Sequence, residues 1–176
     1  AASDVYKRQM LYFCKYLVKG GVNLKISTKG RYALRMLIDL AMHQNDGYIA
    51  LKDIAARQNI SKKYLEQIMP ILNKADVLLT NRGFQGGYRL ARTPDQYTVG
   101  EILRITEGSL APVACLDHDP NTCPMSEECI TLPVWQGLNE VITKYLDGIT
   151  IQDIIDRQTE SCLLYTSPSP RDTERS

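Results

Sequence analysis

Apolar residues recur at helical spacing in six stretches of the chain, and the polar residues between them set where each stretch begins and ends. In the first, Tyr32, Met36, Leu37, Leu40 and Ala41 line one face of a helix that Ser27 or Thr28 caps and that runs to about Asn45. Leu51, Ile54 and Ala55 predict a shorter helix, with Gln58-Asn59 as a tight turn after it. Leu65, Ile68, Met69 and Leu72 then repeat over Ser61 to Asn73, and Ser61 stands where an N-cap hydroxyl would accept from a first-turn amide. Pro70 removes one backbone bond from that helix, yet the apolar spacing continues through Leu72. Lys62, Lys63, Glu66 and Gln67 are left on its outer side.

Asp46-Gly47 turns the chain into Tyr48-Ile49, a short strand in prospect. Val77 to Thr80 and Tyr88 to Leu90 predict two more strands around the Gly-rich tip Asn81-Arg82-Gly83-Phe84-Gln85-Gly86-Gly87. Helix, tight turn, helix with basic and amide groups outward, then a hairpin carrying Arg82, is the pattern of a winged helix that reads DNA. The expected fold is therefore mostly α with a small β-hairpin.

Beyond the hairpin, Thr93-Pro94 breaks the chain, and Thr98 with Glu101 forms a capping box that opens a helix through Ile102, Leu103 and Ile105, ended by Gly108. Residues 109–131 hold Pro112, Pro120 and Pro124 without a clear period and read as a loop. Pro133 opens a longer helix whose stripe of Val134, Trp135, Leu138, Val141, Ile142, Tyr145 and Leu146 is more apolar than one small domain can cover. Antiparallel pairing with a second copy would cover it. Thr150 caps a last helix through Ile151, Ile154 and Ile155. The organisation expected is a DNA-binding domain over 24–92 and dimerisation helices over 93–160 with the cysteine loop between them. Residues 1–23 and 161–176 resemble translated adaptor or upstream sequence and are set apart as non-native tails.

Charge sharpens this division. From Lys25 to Arg92 there are 12 Lys/Arg against 5 Asp/Glu, and from Thr93 to Glu160 there are 3 against 12, although the 176-residue chain carries only +1. The front half suits a polyanion and the rear half does not. No apolar run reaches the length of a membrane span, and without an export signal a cytoplasmic location is expected. Lys29 and Arg31, at the start of the first helix, are placed to meet phosphate or simply to be solvated. Lys62 and Lys63 suit phosphate contacts that set affinity, while Gln67 can bond an adenine edge and Glu66 can accept from cytosine N4. Glu66 has a second reading as a charge that complements the helix dipole.

Cys115, Cys123 and Cys129 fall in the Pro-rich loop as C-x7-C-x5-C. That spacing lacks the CxxC pair of a zinc ribbon or a thioredoxin-like site. Thiolates are the usual ligands of iron–sulfur clusters, and three reduced thiols without metal, or with zinc, are the other readings. An electron carrier would want four thiolates and a thiol enzyme a paired base, for which only His118 is close in sequence. No enzyme is expected.

KISTKGRYALRMLIDLA, LKDIAARQNISKKYLEQIMPIL, RGFQGGYRLAR and TVGEILRITEG, in this order, resemble the Rrf-two family of bacterial transcription regulators, which includes IscR, NsrR and CymR. The resemblance runs from about Leu24 to Arg157. It implies a homodimer that binds a palindromic operator in double-stranded DNA, often as a repressor, with a long helix near the C-terminus making the dimer. Within it, Ser61, Tyr64, Glu66 and Gln67 occupy the operator-facing region, and Arg82 and Gly83 sit at the wing. Sensor members hold a [2Fe–2S] or [4Fe–4S] cluster on three cysteines of this loop, so the resemblance implies a sensor of iron–sulfur status, nitric oxide or redox state. The IscR-like histidine three residues after the last cysteine is Leu132 here, which leaves His118, Asp119, Glu127, Glu128 or a residue of the other subunit's first helix for the fourth bond. A metal-independent regulator controlled by a metabolic enzyme or small effector, as in the CymR branch, is the alternative.

Overall fold

The first helix, α1 (Thr28–Met42), starts where two side-chain oxygens meet its free amides. Ser27 Oγ accepts from Lys29 N and Gly30 N, and the Glu107 carboxylate accepts from Gly30 N at 3.1 Å and from Ser27 Oγ at 2.7 Å. A negative group at the positive end of the helix dipole is stabilising as well as satisfying. The helix stops at Met42 rather than Asn45, because His43 leaves helical geometry and Gln44–Asp46 form a single tighter turn before Gly47 at φ 81°. These observations come from a computed structural model that describes residues 26–83, 86–118, 120–121 and 123–166, with side chains through 158. The reading of residues 1–23 as a tail therefore lies outside the described residues, as do Phe84 and Gln85 of the wing tip.

Helix α2 (Leu51–Gln58) ends on Asn59 in the left-handed conformation, φ 50° and ψ 48°, and Ile60 turns inward behind it. Helix α3 (Lys62–Lys74) follows at once and buries Leu65, Ile68, Met69 and Leu72, the four residues that its apolar period selects. Pro70 lies inside it on the exposed side. Ser61 holds the N-cap position, but its hydroxyl makes no capping bond, contrary to expectation. Its carbonyl, accepting from Tyr64 N and Leu65 N, starts the helix instead.

Strands β1 (Leu78–Asn81) and β2 (Gly87–Leu90) pair antiparallel, from Leu78 opposite Leu90 to Asn81 opposite Gly87. The strand expected at Tyr48-Ile49 shrinks to one bridge, in which Ile49 and Tyr88 exchange both backbone bonds at 3.0 and 2.9 Å. Gly87 makes this approach possible, since a Cβ there would stand 2.6 Å from the Ile49 carbonyl carbon and oxygen. Backbone cannot step aside as a side chain can. Gly87→Ala is expected to cost about 1–3 kcal/mol, read as a lower denaturant midpoint with unchanged slope.

The core gathers around α1. Met36, Leu37 and Leu40 pack with Ile54, Leu65, Ile68, Leu72, Val77, Tyr97, Ile102 and Ile151. It thus draws on residues beyond Arg92. Tyr97 is fully buried with both hydrogen-bonding roles of its hydroxyl used, donating to the Val77 carbonyl at 2.9 Å and accepting from Arg92 N at 2.8 Å. Helix α4 (Val99–Glu107) is capped by Thr98 Oγ1 on Glu101 N, but only half of the expected capping box forms, because the Glu101 carboxylate pairs with Arg92. Thr150 and Asp153 make the full reciprocal box at the start of α6 (Ile151–Thr166), at 3.0 and 2.8 Å. Ile151 N donates to the Tyr97 carbonyl and Val99 N to that of Ile149, which ties the starts of α4 and α6 together.

Residues 109–142 form a separate compact unit. It carries one short turn, Ala114–Leu116, and most of α5 (Leu132–Asp147). No residue of α5 is buried. At its far end Asp147 accepts both guanidinium bonds of Arg104, at 2.8 and 2.7 Å.

Candidate nucleic-acid interface and cysteine loop

The end of α2 is fastened to α1 by one carboxylate. Asp39, 2% exposed among the apolar residues of α1, accepts from Arg57 Nε at 3.0 Å, Arg57 Nη2 at 2.6 Å and Gln58 Nε2 at 3.1 Å. Burial alone would raise its pKa; the hydrogen bonds from Arg57 and Gln58 and the attraction of Arg57 outweigh it and hold the carboxyl below its ordinary range. Gln58 in turn accepts from Arg35 through its side chain at 3.2 Å and through its carbonyl. Tyr32 and Tyr64 meet edge-to-face at 5.4 Å, which fixes the rotation of α3 against α1. Tyr32 thus supports α3 from behind, and the Asp39 network fixes the end of α2 that leads into it.

That outer face carries Ser61, Lys62, Lys63, Glu66 and Gln67, all exposed. Tyr64 is half-buried, with its ring against Tyr32. Lys62 and Glu66 form an i,i+4 pair at 3.3 Å, 59% and 52% exposed. A pair so exposed is worth only a few tenths of a kcal/mol, so a phosphate or a base edge can take either partner. Arg31 is exposed at the start of α1 with its guanidinium on Thr28 Oγ1. Lys29 is half-buried beside it. Glu107 already occupies the Gly30 amide there, which leaves the Lys29 and Arg31 side chains as the cationic groups at this helix end. At the wing, Arg82 is exposed and Gly83 adopts φ 133°, a value that suits glycine, with its carbonyl accepting from Gly86 N.

Asp39, Arg57, Gln58 and Arg35 are not among the site residues that the sequence pattern singles out. One signal was present: an aspartate at the buried phase of α1, between Leu37 and Leu40, demands a partner. Arg89, exposed with its guanidinium 5.1 Å from the Tyr48 ring centre, adds a further cation to the wing.

A family model described as Rrf2, iron-dependent transcriptional regulator, matches residues 26–157. The chain belongs to the Rrf2 family. The regulator IscR of Aliivibrio salmonicida is 36% identical over 132 residues, 75% of this chain and 77% of that protein. CymR of Bacillus subtilis is 36% identical over 145 residues, 81% of this chain and 99% of that protein. The structure of T. potens IscR superposes with a TM-score of 0.63 at 35% identity, covering 86% of this chain and 98% of that one. The winged helix described above is thus that of a DNA-binding transcriptional regulator, not of an enzyme. Among the described residues, no helix is long and apolar enough to cross a membrane.

Among the described side chains of this Rrf2 chain, Cys115, Cys123 and Cys129 are free thiols, each partly exposed. Burial pushes the Cys115 thiol up, and the charges of Cys123, Cys129 and Asp117 add to the effect. Cys129 is moved the opposite way by hydrogen bonds from Thr131, whose hydroxyl lies 3.5 Å from its sulfur. Asn121 Oδ1 accepts from Cys123 N at 2.8 Å. Asp117 Oδ1 and Asn121 Nδ2 are buried without any partner. His118, Glu127 and Glu128 are exposed, and Asp119 lies outside the described residues. Among the described residues no three His, Cys, Asp or Glu side chains are gathered as ligands of one ion. The donor set fits an iron–sulfur cluster by its chemistry, three thiols with an unsatisfied carboxylate oxygen, while cluster binding would have to supply the energy that draws the sulfurs together.

Proposed function

We propose that this regulator binds a palindromic operator as a homodimer, most often as a repressor, and that Cys115, Cys123 and Cys129 hold an iron–sulfur cluster through which it responds to iron–sulfur status, nitric oxide or redox state. The observation that carries the DNA-binding part is the exposed face of α3, with Lys62, Lys63, Glu66 and Gln67 outward, Tyr32 packed on Tyr64 behind it, and Asp39 and Arg57 fastening the end of α2 that leads into it. Two half-sites about one helical turn apart would each receive an α3, with Arg82 and Gly83 of each wing beside it and Lys29 and Arg31 near the phosphates. A regulator of chromosomal operators would act in the cytoplasm. When bound, the cluster supplies a centre that oxidants and nitric oxide attack. The chain's own contribution is the loop that holds it, continuous with α5.

Gln67 and Lys63 divide the labour in a testable way. Gln67→Ala should relax operator preference at one base pair by about 1–3 kcal/mol. Lys63→Ala should weaken all sequences alike and reduce the salt slope of binding by about 1. Titrations of operator and scrambled duplexes at several salt concentrations separate these outcomes; a uniform loss from Gln67→Ala would remove it from base reading.

A second reading keeps the DNA-binding part and removes the metal. Leu132 in the place of the IscR-like histidine and the ungathered ligands favour it, as does the equal similarity to CymR. In that case a metabolic enzyme or small effector, for instance in cysteine or sulfur metabolism, would control the regulator. Iron and sulfide content of anaerobically purified protein, with its visible spectrum, distinguishes the two.

A further inference from the structure

Two polar atoms of the cysteine loop are buried without partners, and they do not satisfy each other: Asp117 Oδ1, an acceptor, and Asn121 Nδ2, a donor. A buried polar atom left unpaired costs free energy, and each such case asks what is missing. Both atoms stand beside cysteines. Asp117 is two residues after Cys115 and near enough for its charge to act on that thiol. Asn121 is two residues before Cys123 and uses its oxygen to hold the Cys123 amide, leaving its NH2 group unbonded. A bare cation would answer only the carboxylate, and an anion only the amide. An iron–sulfur cluster presents both signs at once, cationic iron to a carboxylate and electron-rich sulfur to an N–H.

We propose that Asp117 is the fourth protein ligand of the group held by Cys115, Cys123 and Cys129, with the Asn121 amide donating to one of its sulfurs. The proposal rests on the cluster reading above. The other acidic and imidazole groups described in the loop have no need of a metal: His118, Glu127 and Glu128 are exposed, where water satisfies them. Leu132, at the position after Cys129 where a histidine would stand in an IscR-like site, offers no donor. A carboxylate ligand is harder than imidazole and adds a negative charge, so it favours the oxidised cluster.

The full-length chain reconstituted anaerobically with ferrous iron and sulfide tests this, alongside Asp117→Ala, Asp117→Cys and His118→Ala. The readouts are iron per chain, visible spectrum, paramagnetic resonance of the reduced form, and the rate at which a chelator removes iron. Asp117→Ala is expected to lose iron at least about tenfold faster than wild type. Asp117→Cys should retain iron with a shifted spectrum and altered resonance, as a ligand exchange requires and a packing role does not. His118→Ala should match wild type. Wild-type spectrum and release rate in Asp117→Ala would overturn the assignment, as would loss of iron from Asp117→Ala and Asp117→Cys alike, which would mark Asp117 as structural. Wild-type protein that takes up no iron would overturn the cluster reading itself, and a bridging water would then account for the two unpaired atoms.

Discussion

Arg57→Met is expected to lower the thermal midpoint by about 5–10 °C at neutral pH, a loss of about 2–3 kcal/mol. Methionine replaces the aliphatic stem but not the guanidinium, so Asp39 keeps its 2% exposure and loses two of its three side-chain hydrogen bonds. Removing one partner of a fully buried pair costs about 3–5 kcal/mol; the lower figure applies because the Arg57 side chain is 35% exposed and partly screened already. The effect has a pH signature. In the wild type the folded-state pKa of Asp39 lies below the ordinary 3.8, so the stability it contributes is present above that value and lost as pH falls through the folded one. In Arg57→Met burial prevails and the folded pKa rises, so this carboxyl then weakens the fold as it ionises. The gap between wild type and variant should be widest near pH 7, narrow on acidification, and close only once the pH is below the depressed folded-state value of the wild type. Calorimetry at neutral and at acid pH decides it, and a gap that stays constant on acidification would place the damage elsewhere. Asp39→Leu combined with Arg57→Met should recover much of the loss, since an apolar pair needs no desolvation.

That network also shows where the sequence stops being legible. The apolar period of α3 names its four buried residues because a helix must show one face to the core, and Pro70 falls harmlessly on the other. Residues distant in sequence decide the rest. The partner of Asp39 is 18 positions away, and the carboxylate at the start of α1 comes from Glu107, 80 positions from Ser27, so neither can be found in a local window. Capping preferences are local and statistical. Thr150 with Asp153 follows them; Glu101 is diverted by Arg92, and Ser61 yields because the left-handed Asn59 and buried Ile60 have already fixed the entry to α3. In the cysteine loop, spacing identifies thiols as donors but contains no distances, and it points to His118, Asp119 and two glutamates rather than to Asp117, because only burial reveals the unpaired oxygen of Asp117.

Val141→Glu is expected to leave the helical spectrum of the chain intact, convert a dimer at micromolar concentration into a monomer, and weaken operator binding by about 100-fold or more. Val134, Leu138, Val141 and Tyr145 are 62%, 40%, 64% and 64% exposed along one face of α5. Spaced at 4, 3 and 4 residues, they form a continuous apolar seam over three turns. A seam of this length on an unpaired helix would be a liability in water. In the homodimer proposed above the seam would meet itself across a two-fold axis, so each substitution would enter the interface twice. A glutamate at position 141 costs the separate chain little, since the site is already wet, but two buried carboxylates without cations cost several kcal/mol in the dimer. Every 1.4 kcal/mol is tenfold in dissociation. Operator affinity falls with it, because two linked α3 helices bind with an effective concentration that separate chains lack. Gln136→Glu adds the same charge on the opposite, exposed side of α5 and should change neither quantity. Sedimentation and operator titration of the two variants locate the interface: a Val141→Glu protein that remains dimeric would mean that the seam faces something other than a second copy of the chain.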